Sequence, residues 1–159
     1  MEKERLQEYA ARVTQANRSE LVVIIYEATI ASIEEGKKYL TDGQVEPARK
    51  EIARARGMIT ELMSSLDLQY SISHYLRQLY VYAYQELCQG IANRSPEQLE
   101  HASRIFEKIL PSFKEVAKQD DSEAVMANVQ TIYAGLTYGR GTLNETIATG
   151  IDPNRGYEA

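Results

Sequence analysis

The sequence has a single cysteine, Cys88, no tryptophan, and only two histidines, His74 and His101. A lone cysteine cannot close an internal disulfide, so stability must come from a packed core. Carboxylate-bridged metal bundles need a Glu-x-x-His pair on each of two helices, so that both side chains point inward. The residue three before His74 is Ser71 and the one three before His101 is Gln98, so neither histidine completes that pair. Both are expected at a helix surface, and no metal is expected. Cys88 carries no signature of a nucleophile and reads as small core filler. Gly139-Arg140-Gly141 has no lysine-serine after it to make a phosphate loop. The chain therefore reads as a binding protein without a cofactor, not as an enzyme.

Long apolar runs are also missing. Nothing approaches the ~18 consecutive apolar residues of a membrane span, and MEKERLQEYAARVTQ lacks the apolar stretch of a signal peptide. A cytoplasmic location is expected. The net charge of -5 gives no general attraction to nucleic acid or anionic lipid, so neither is an expected partner.

What is present is helical periodicity, in a chain of 159 residues with 43% hydrophobic and 26% charged residues, ordinary values for one globular domain. In residues 1–16, Leu6, Tyr9, Ala10 and Val13 share one helical face. The segment is too short and polar to be helical unless docked. Asn17 with Glu20 three residues on forms a capping box, opening a helix through Leu21, Ile24, Ile25, Ala28 and Ile33 to about Leu40. Thr41-Asp42-Gly43 ends it, with glycine suited to the left-handed position. A second helix is expected from about Pro47, with Ala48, Ile52, Ala55, Ile59, Leu62 and Leu66 on a bundle seam. Its basic outer face reads as a solvated one. After a short connection a third helix spans about 71–92. Ser95-Pro96-Glu97-Gln98 then opens a fourth, carrying Leu99, Ala102, Ile105, Phe106, Ile109, Leu110, Phe113 and Val116. Pro111 inside it predicts a kink or break. A weaker helix is expected from about Glu123 to Leu136, followed by a loosely ordered tail.

The third helix has an unusually wide apolar arc. Ile72, Leu76, Leu79, Ala83 and Leu87 form a stripe, flanked by Tyr75 and Tyr82 on one side and by Tyr80, Tyr84 and Ile91 on the other. The arc covers roughly 200°, twice that of an ordinary surface helix. Two explanations stay open: a central helix touched by several neighbours, or a helix that lends part of its surface to another chain.

Three stretches, in order, resemble one family. They are Val13-Thr14-Gln15-Ala16-Asn17-Arg18-Ser19-Glu20-Leu21 with Ile25-Tyr26-Glu27-Ala28; Ile59-Thr60-Glu61-Leu62-Met63-Ser64-Ser65-Leu66-Asp67; and Tyr75-Leu76-Arg77-Gln78-Leu79-Tyr80-Val81-Tyr82 with Leu87. Together they are similar to the bacterial flagellin-export chaperones of the FliS family, over about residues 5–118. Arg18, Ala28 and Val81 depart from the family's usual proline, glycine and aspartate. These changes touch helix entry and surface more than core.

Beyond the stretch of resemblance, the residues alone lead to an expected weaker C-terminal helix over 119–136 and a flexible tail over 137–159. The resemblance fits the all-α fold read from periodicity, an antiparallel four-helix bundle over 17–118 with a short N-terminal cap segment over 1–16. It implies a cytoplasmic export chaperone that binds the C-terminal segment of flagellin and prevents premature polymerisation before secretion. Components of the export apparatus are further partners, and the protein is a monomer or a homodimer. The residues assigned to flagellin contact are Tyr9, Val13, Tyr26, Leu62, Leu66, Tyr75, Tyr80, Tyr82 and Tyr84. Tyr75, Tyr82 and Tyr84 sit at the edges of the arc, whereas Leu62 and Leu66 read mainly as core. Leu6, Tyr9 and Val13 form a candidate cap over the empty groove. Two other readings remain: an adaptor for a different export or regulatory protein, and a metal-binding bundle enzyme.

Overall fold

The computed structural model describes residues 3–126. Five helices follow one another: α1 (Lys3–Gln15), α2 (Arg18–Thr41), α3 (Val45–Ser64), α4 (Ser71–Ala92) and α5 (Pro96–Gln119). No strand occurs among the described residues. Of the C-terminal helix expected over 123–136, only residues 123–126 are described. The rest, and the tail after it, lie outside the described residues.

Local chemistry sets the helix ends. Asn17 Oδ1 accepts the Glu20 N–H at 2.9 Å, the first half of a capping box. Gly43 ends α2 with φ 76°, and the Gln44 N–H reaches back to the Tyr39 carbonyl at 2.8 Å. α3 begins two residues before Pro47, whose missing N–H falls in the first turn, where it has no helical acceptor to lose. Ser95 caps α5 by accepting the Gln98 N–H at 3.3 Å. Arg94 is the exception. It takes φ 51° at the end of α4, while the Ser95 N–H closes on the Gly90 carbonyl at 2.8 Å. A left-handed residue with a Cβ costs about 1–2 kcal/mol, so glycine is the usual choice there.

Of the kink or break expected at Pro111, the break does not occur. α5 runs as one element from Pro96 to Gln119. The ring of Pro111 is exposed, and the carbonyl it leaves without a helical donor belongs to Glu107, also exposed and open to water. On the opposite face, Phe106 and Phe113 hold both halves of the helix to the core.

Helices α2 to α5 close a ring. α2 packs on α3 and α5, and α4 packs on the same two helices. Contacts along the ring show neighbours running antiparallel. Late α2 meets early α5 through the ion pair of Lys37 with Glu100, and early α2 meets late α5 through Tyr26 and Phe113. Late α4 meets early α5 so closely that a Cβ at Gly90 would lie 2.6 Å from Leu99 Cδ2. Gly36 gives α3 the same access, since its Cβ would lie 2.7 Å from Ile52 Cδ1. The hydrogen bond from Lys37 holds the Glu100 carboxyl below its ordinary pKa.

The core is continuous and includes the expected α3 seam from Ala48, Ile52, Ala55 and Ile59 to Leu62; Leu66, the last residue expected on it, lies past the end of α3 and is half-buried against the core. At its centre, Tyr26 of α2 and Tyr80 of α4 join hydroxyls at 2.5 Å across the diagonal of the ring. Tyr26 meets Phe106 edge-on at 5.3 Å and Phe113 at 5.1 Å, while Tyr80 stacks on Phe106 at 6.0 Å. Burial pushes both phenols above their ordinary pKa, so the pair stays neutral. A buried hydroxyl is tolerated when it is hydrogen-bonded and penalised when it is not.

Replacing either tyrosine by phenylalanine strands the other hydroxyl and is expected to cost about 1–3 kcal/mol. Tyr26→Phe with Tyr80→Phe should cost less than the sum of the two single changes. Urea unfolding of the four proteins measures this; strictly additive losses would show that the hydroxyls do not act as a pair.

Candidate binding surface

One end of the bundle is built from the start of α2, the end of α3, the start of α4 and the end of α5. Because α3 stops at Ser64 and α4 starts only at Ser71, the connection leaves an open groove of about 660 Å³ at this end. Its walls are largely apolar: Val22, Leu62, Leu66, Ile72, Leu76, Phe113 and Val116, with Tyr70 and Tyr80. Arg18, Ser19, Asp67, Asp120 and Ser122 add a polar contribution.

From Ile72 in the groove wall, an exposed edge runs along α4. His101 Nδ1 lies 2.9 Å from Glu86 Oε2, which marks the side of α4 that meets α5. Arg56 lies over the Tyr84 ring at 5.8 Å and reaches Cys88 Sγ at 3.4 Å, which marks the side that meets α3. At 100° per residue, Ile72, Tyr75, Leu79 and Tyr82 share the α5-side edge with Glu86. Ile72, Tyr75 and Tyr82 are 60%, 58% and 47% exposed, and Val116 of α5 is 53% exposed. The wide arc of α4 is thus divided: Leu76, Tyr80, Ala83 and Leu87 enter the core, while the Tyr75–Tyr82 edge stays uncovered.

α1 is attached differently from the other helices. It packs on α2, and none of its residues is buried. Val23, Ile24 and Ala28 of α2 are buried yet stand outside the main core cluster. Ile24 and Ala28 project from α2 opposite Tyr26, on the outer side that α1 covers. The attachment is polar. Arg12 Nη1 donates to Glu27 Oε2 at 2.6 Å, and Lys114 of α5 reaches Glu27 Oε1 at 3.5 Å. This bond to Glu27 holds the Arg12 guanidinium still more firmly protonated. Partial burial, then the Glu27 charge, raises the Tyr9 hydroxyl pKa. Beside Arg12 and Gln15 a gap of about 450 Å³ remains between α1, α2 and α5.

The chain beyond α5 returns to the α1–α2 junction. Asn17 Nδ2 donates to the Asp120 carbonyl at 3.1 Å, Ser19 Oγ to Asp120 Oδ2 at 2.6 Å, and the Val125 N–H to the Ala16 carbonyl at 3.0 Å. The hydroxyl of Ser122, then that of Ser19, pulls the Asp120 carboxyl down to about 2. Its folded pKa being depressed, these bonds are intact above the ordinary carboxylate range and weaken as pH falls toward 2.

The residues assigned from sequence fall into three groups. Tyr75 and Tyr82 are exposed on α4. Leu66 is half-buried in the end groove, where Leu62 and Tyr80 are buried wall residues. Tyr26 is wholly enclosed, with 0% exposure, and offers no surface to a partner in this conformation. Tyr84 is half-buried against Arg56 at the α3 side, away from Tyr75 and Tyr82. Tyr9 and Val13 are half-buried on α1, and Leu6 is exposed. Cys88 is half-buried at the α3–α4 contact, not in the deep core. Sequence reasoning missed the Arg12–Glu27–Lys114 cluster and the contacts of Asn17 and Ser19 with Asp120. Neither carries a local signal, because the partners lie on separate helices or about a hundred positions apart.

The family model for the flagellar protein FliS matches residues 1–120, which span all five helices. The chain belongs to the FliS family. FliS proteins are flagellar export chaperones, and the helical bundle fits that assignment. Among curated proteins none matches the chain. No helix among the described residues is long and apolar enough to cross a membrane. Against the FliS match, the α1 attachment and the α4 edge become the two features of functional interest.

Glu27→Gln removes the charge shared by Arg12 and Lys114. Partly exposed ion pairs are each worth about 0.2–1 kcal/mol, so α1 should detach more often while the ring of α2 to α5 stays intact. Limited trypsin digestion should cut after Arg12 about two- to five-fold faster; an unchanged rate would show that Glu27 does not hold α1.

Proposed function

We propose that this FliS-family protein is a cytoplasmic chaperone that binds the C-terminal segment of flagellin and keeps it from polymerising before export. One observation carries the reading: an exposed aromatic edge on α4, Tyr75 and Tyr82 with Ile72, runs into an apolar groove at the bundle end. Tyrosine gives apolar contact area at low side-chain entropy cost, which suits a surface that must release its partner. An amphipathic segment can lay helical pieces along such a surface. Ordering it on binding costs about 2–5 kcal/mol, which keeps the complex reversible.

In this reading Tyr75, Tyr82 and Leu66 contact the client, and Leu62 and Tyr80 form the wall beneath it. Tyr26 acts at one remove, by holding Tyr80 in place. Tyr84 contributes where the client passes the α3 side. Tyr9 and Val13, with Leu6, serve as a displaceable cover, over Val23, Ile24 and Ala28 on α2 and not, as expected, over the end groove, which no α1 residue lines; the absence of buried residues in α1 supports this. The bundle over 17–118 is the working unit and 1–16 its cap. Export-apparatus components meet the loaded complex, and the unloaded protein is a monomer or a homodimer.

Calorimetric titration with a peptide covering the last ~60 residues of the host's flagellin, long enough to bury a large surface on folding, tests the reading. Saturable one-to-one binding with a negative heat-capacity change is expected. Tyr75→Ala with Tyr82→Ala should weaken it by about 1–3 kcal/mol without unfolding the bundle. No binding by a folded protein would move the client to another export substrate. Deleting residues 1–14 should promote aggregation or change flagellin affinity; if neither changes, the cover role is lost.

A further inference from the structure

Asn17 uses both ends of its amide. Its Oδ1 caps α2 by accepting the Glu20 N–H at 2.9 Å, and its Nδ2 donates to the Asp120 carbonyl at 3.1 Å and the Ser122 carbonyl at 3.5 Å. Asn17 is 3% exposed. Next to it, the Ala16 carbonyl at the junction between α1 and α2 accepts the Val125 N–H at 3.0 Å. Ser19 Oγ completes the set by donating to Asp120 Oδ2 at 2.6 Å. Apart from the capping bond to Glu20, these bonds join two short stretches, 16–19 and 120–125, and the first is the hinge on which α1 must turn.

We propose that residues 120–125 are a strap that locks this hinge, so that α1 leaves α2 only when the strap lets go. α1 buries no residue of its own, and a 13-residue helix is marginal by itself in water. Its persistence therefore depends on what fixes its C-terminal end and its Arg12 anchor. The strap fixes the end. Each hydrogen bond is modest alone, but all except that of Ser19 converge on two consecutive residues, Ala16 and Asn17, and remove the backbone freedom that a swinging helix needs. The strap thereby couples residues that follow α5 to the state of the cap. The use made of that opening rests on the cover role proposed above; the lock itself does not.

Asn17→Asp separates the two functions of Asn17. Aspartate still caps α2, but it has no donor for the strap and sets a carboxylate against the carbonyls of Asp120 and Ser122. Hydrogen exchange of the full chain, without any client, should show the α1 amides of Leu6–Val13 exchanging about five- to ten-fold faster, with α3 and α4 unchanged. The double variant Asn17→Asp, Val125→Pro removes every hydrogen bond from the strap to Ala16 and Asn17, and should accelerate α1 at least as much. If α1 exchange in the double variant equals that of the parent while the bundle helices keep their protection, the strap is no lock and the proposal falls. Failure of flagellin binding would leave this result standing, since no flagellin is present.

Discussion

Tyr26 and Tyr80 come from helices that face each other across the ring, and their 2.5 Å contact is the point through which all four helices communicate. α2 contributes Tyr26, α4 contributes Tyr80, and α5 wraps both with Phe106 and Phe113. α3 closes the ring with the Ile52, Ile59 and Leu62 seam. A hydroxyl pair in an apolar centre does what aliphatic side chains alone do not: it specifies one rotation of α2 against α4, because any other leaves two buried oxygens unpaired. That rotation in turn decides which edge of α4 is left over.

The surface proposed for binding is therefore a remainder. Once Leu76, Tyr80, Ala83 and Leu87 are committed to the core, Ile72, Tyr75 and Tyr82 must face outward. Around the same bundle end, the early stop of α3 and the late start of α4 leave Leu62, Leu66 and Leu76 lining an open groove. α1 follows the opposite rule. It buries part of α2 but none of itself, and polar bonds at Glu27 and Asn17 hold it in place. An element attached in this way can come off without disturbing the ring, which suits a cover over a surface meant for a partner.

Much of the fold was legible because it depends on short-range chemistry. The Asn17 and Ser95 caps, the left-handed Gly43 and the α3 seam each involve residues within a few positions of one another, and each appears where the spacing put it. The break offered as one outcome at Pro111 did not occur, because a proline rule considers the backbone alone. The exposed ring and the aromatic packing on the opposite face carry the helix through. Arg94 in a left-handed turn was illegible for the reverse reason, since nothing in its side chain favours that conformation.

The sequence by itself determined the helices, their order, the all-α class and the family. These follow from periodicity, caps and motif order, all properties of neighbouring residues. Only the tertiary structure decided which tyrosines are interior and which are surface. Helical spacing placed Tyr75, Tyr82 and Tyr84 at the edges of the arc, but it did not show that Tyr26 and Tyr80 are wholly enclosed or that Tyr84 is half-buried; that choice is made by the helices that pack against them. The same holds for Asn17 and Asp120, which are brought within hydrogen-bond reach only when α5 returns beside α2. Such contacts depend on where distant segments of chain meet, and a linear pattern carries no record of that.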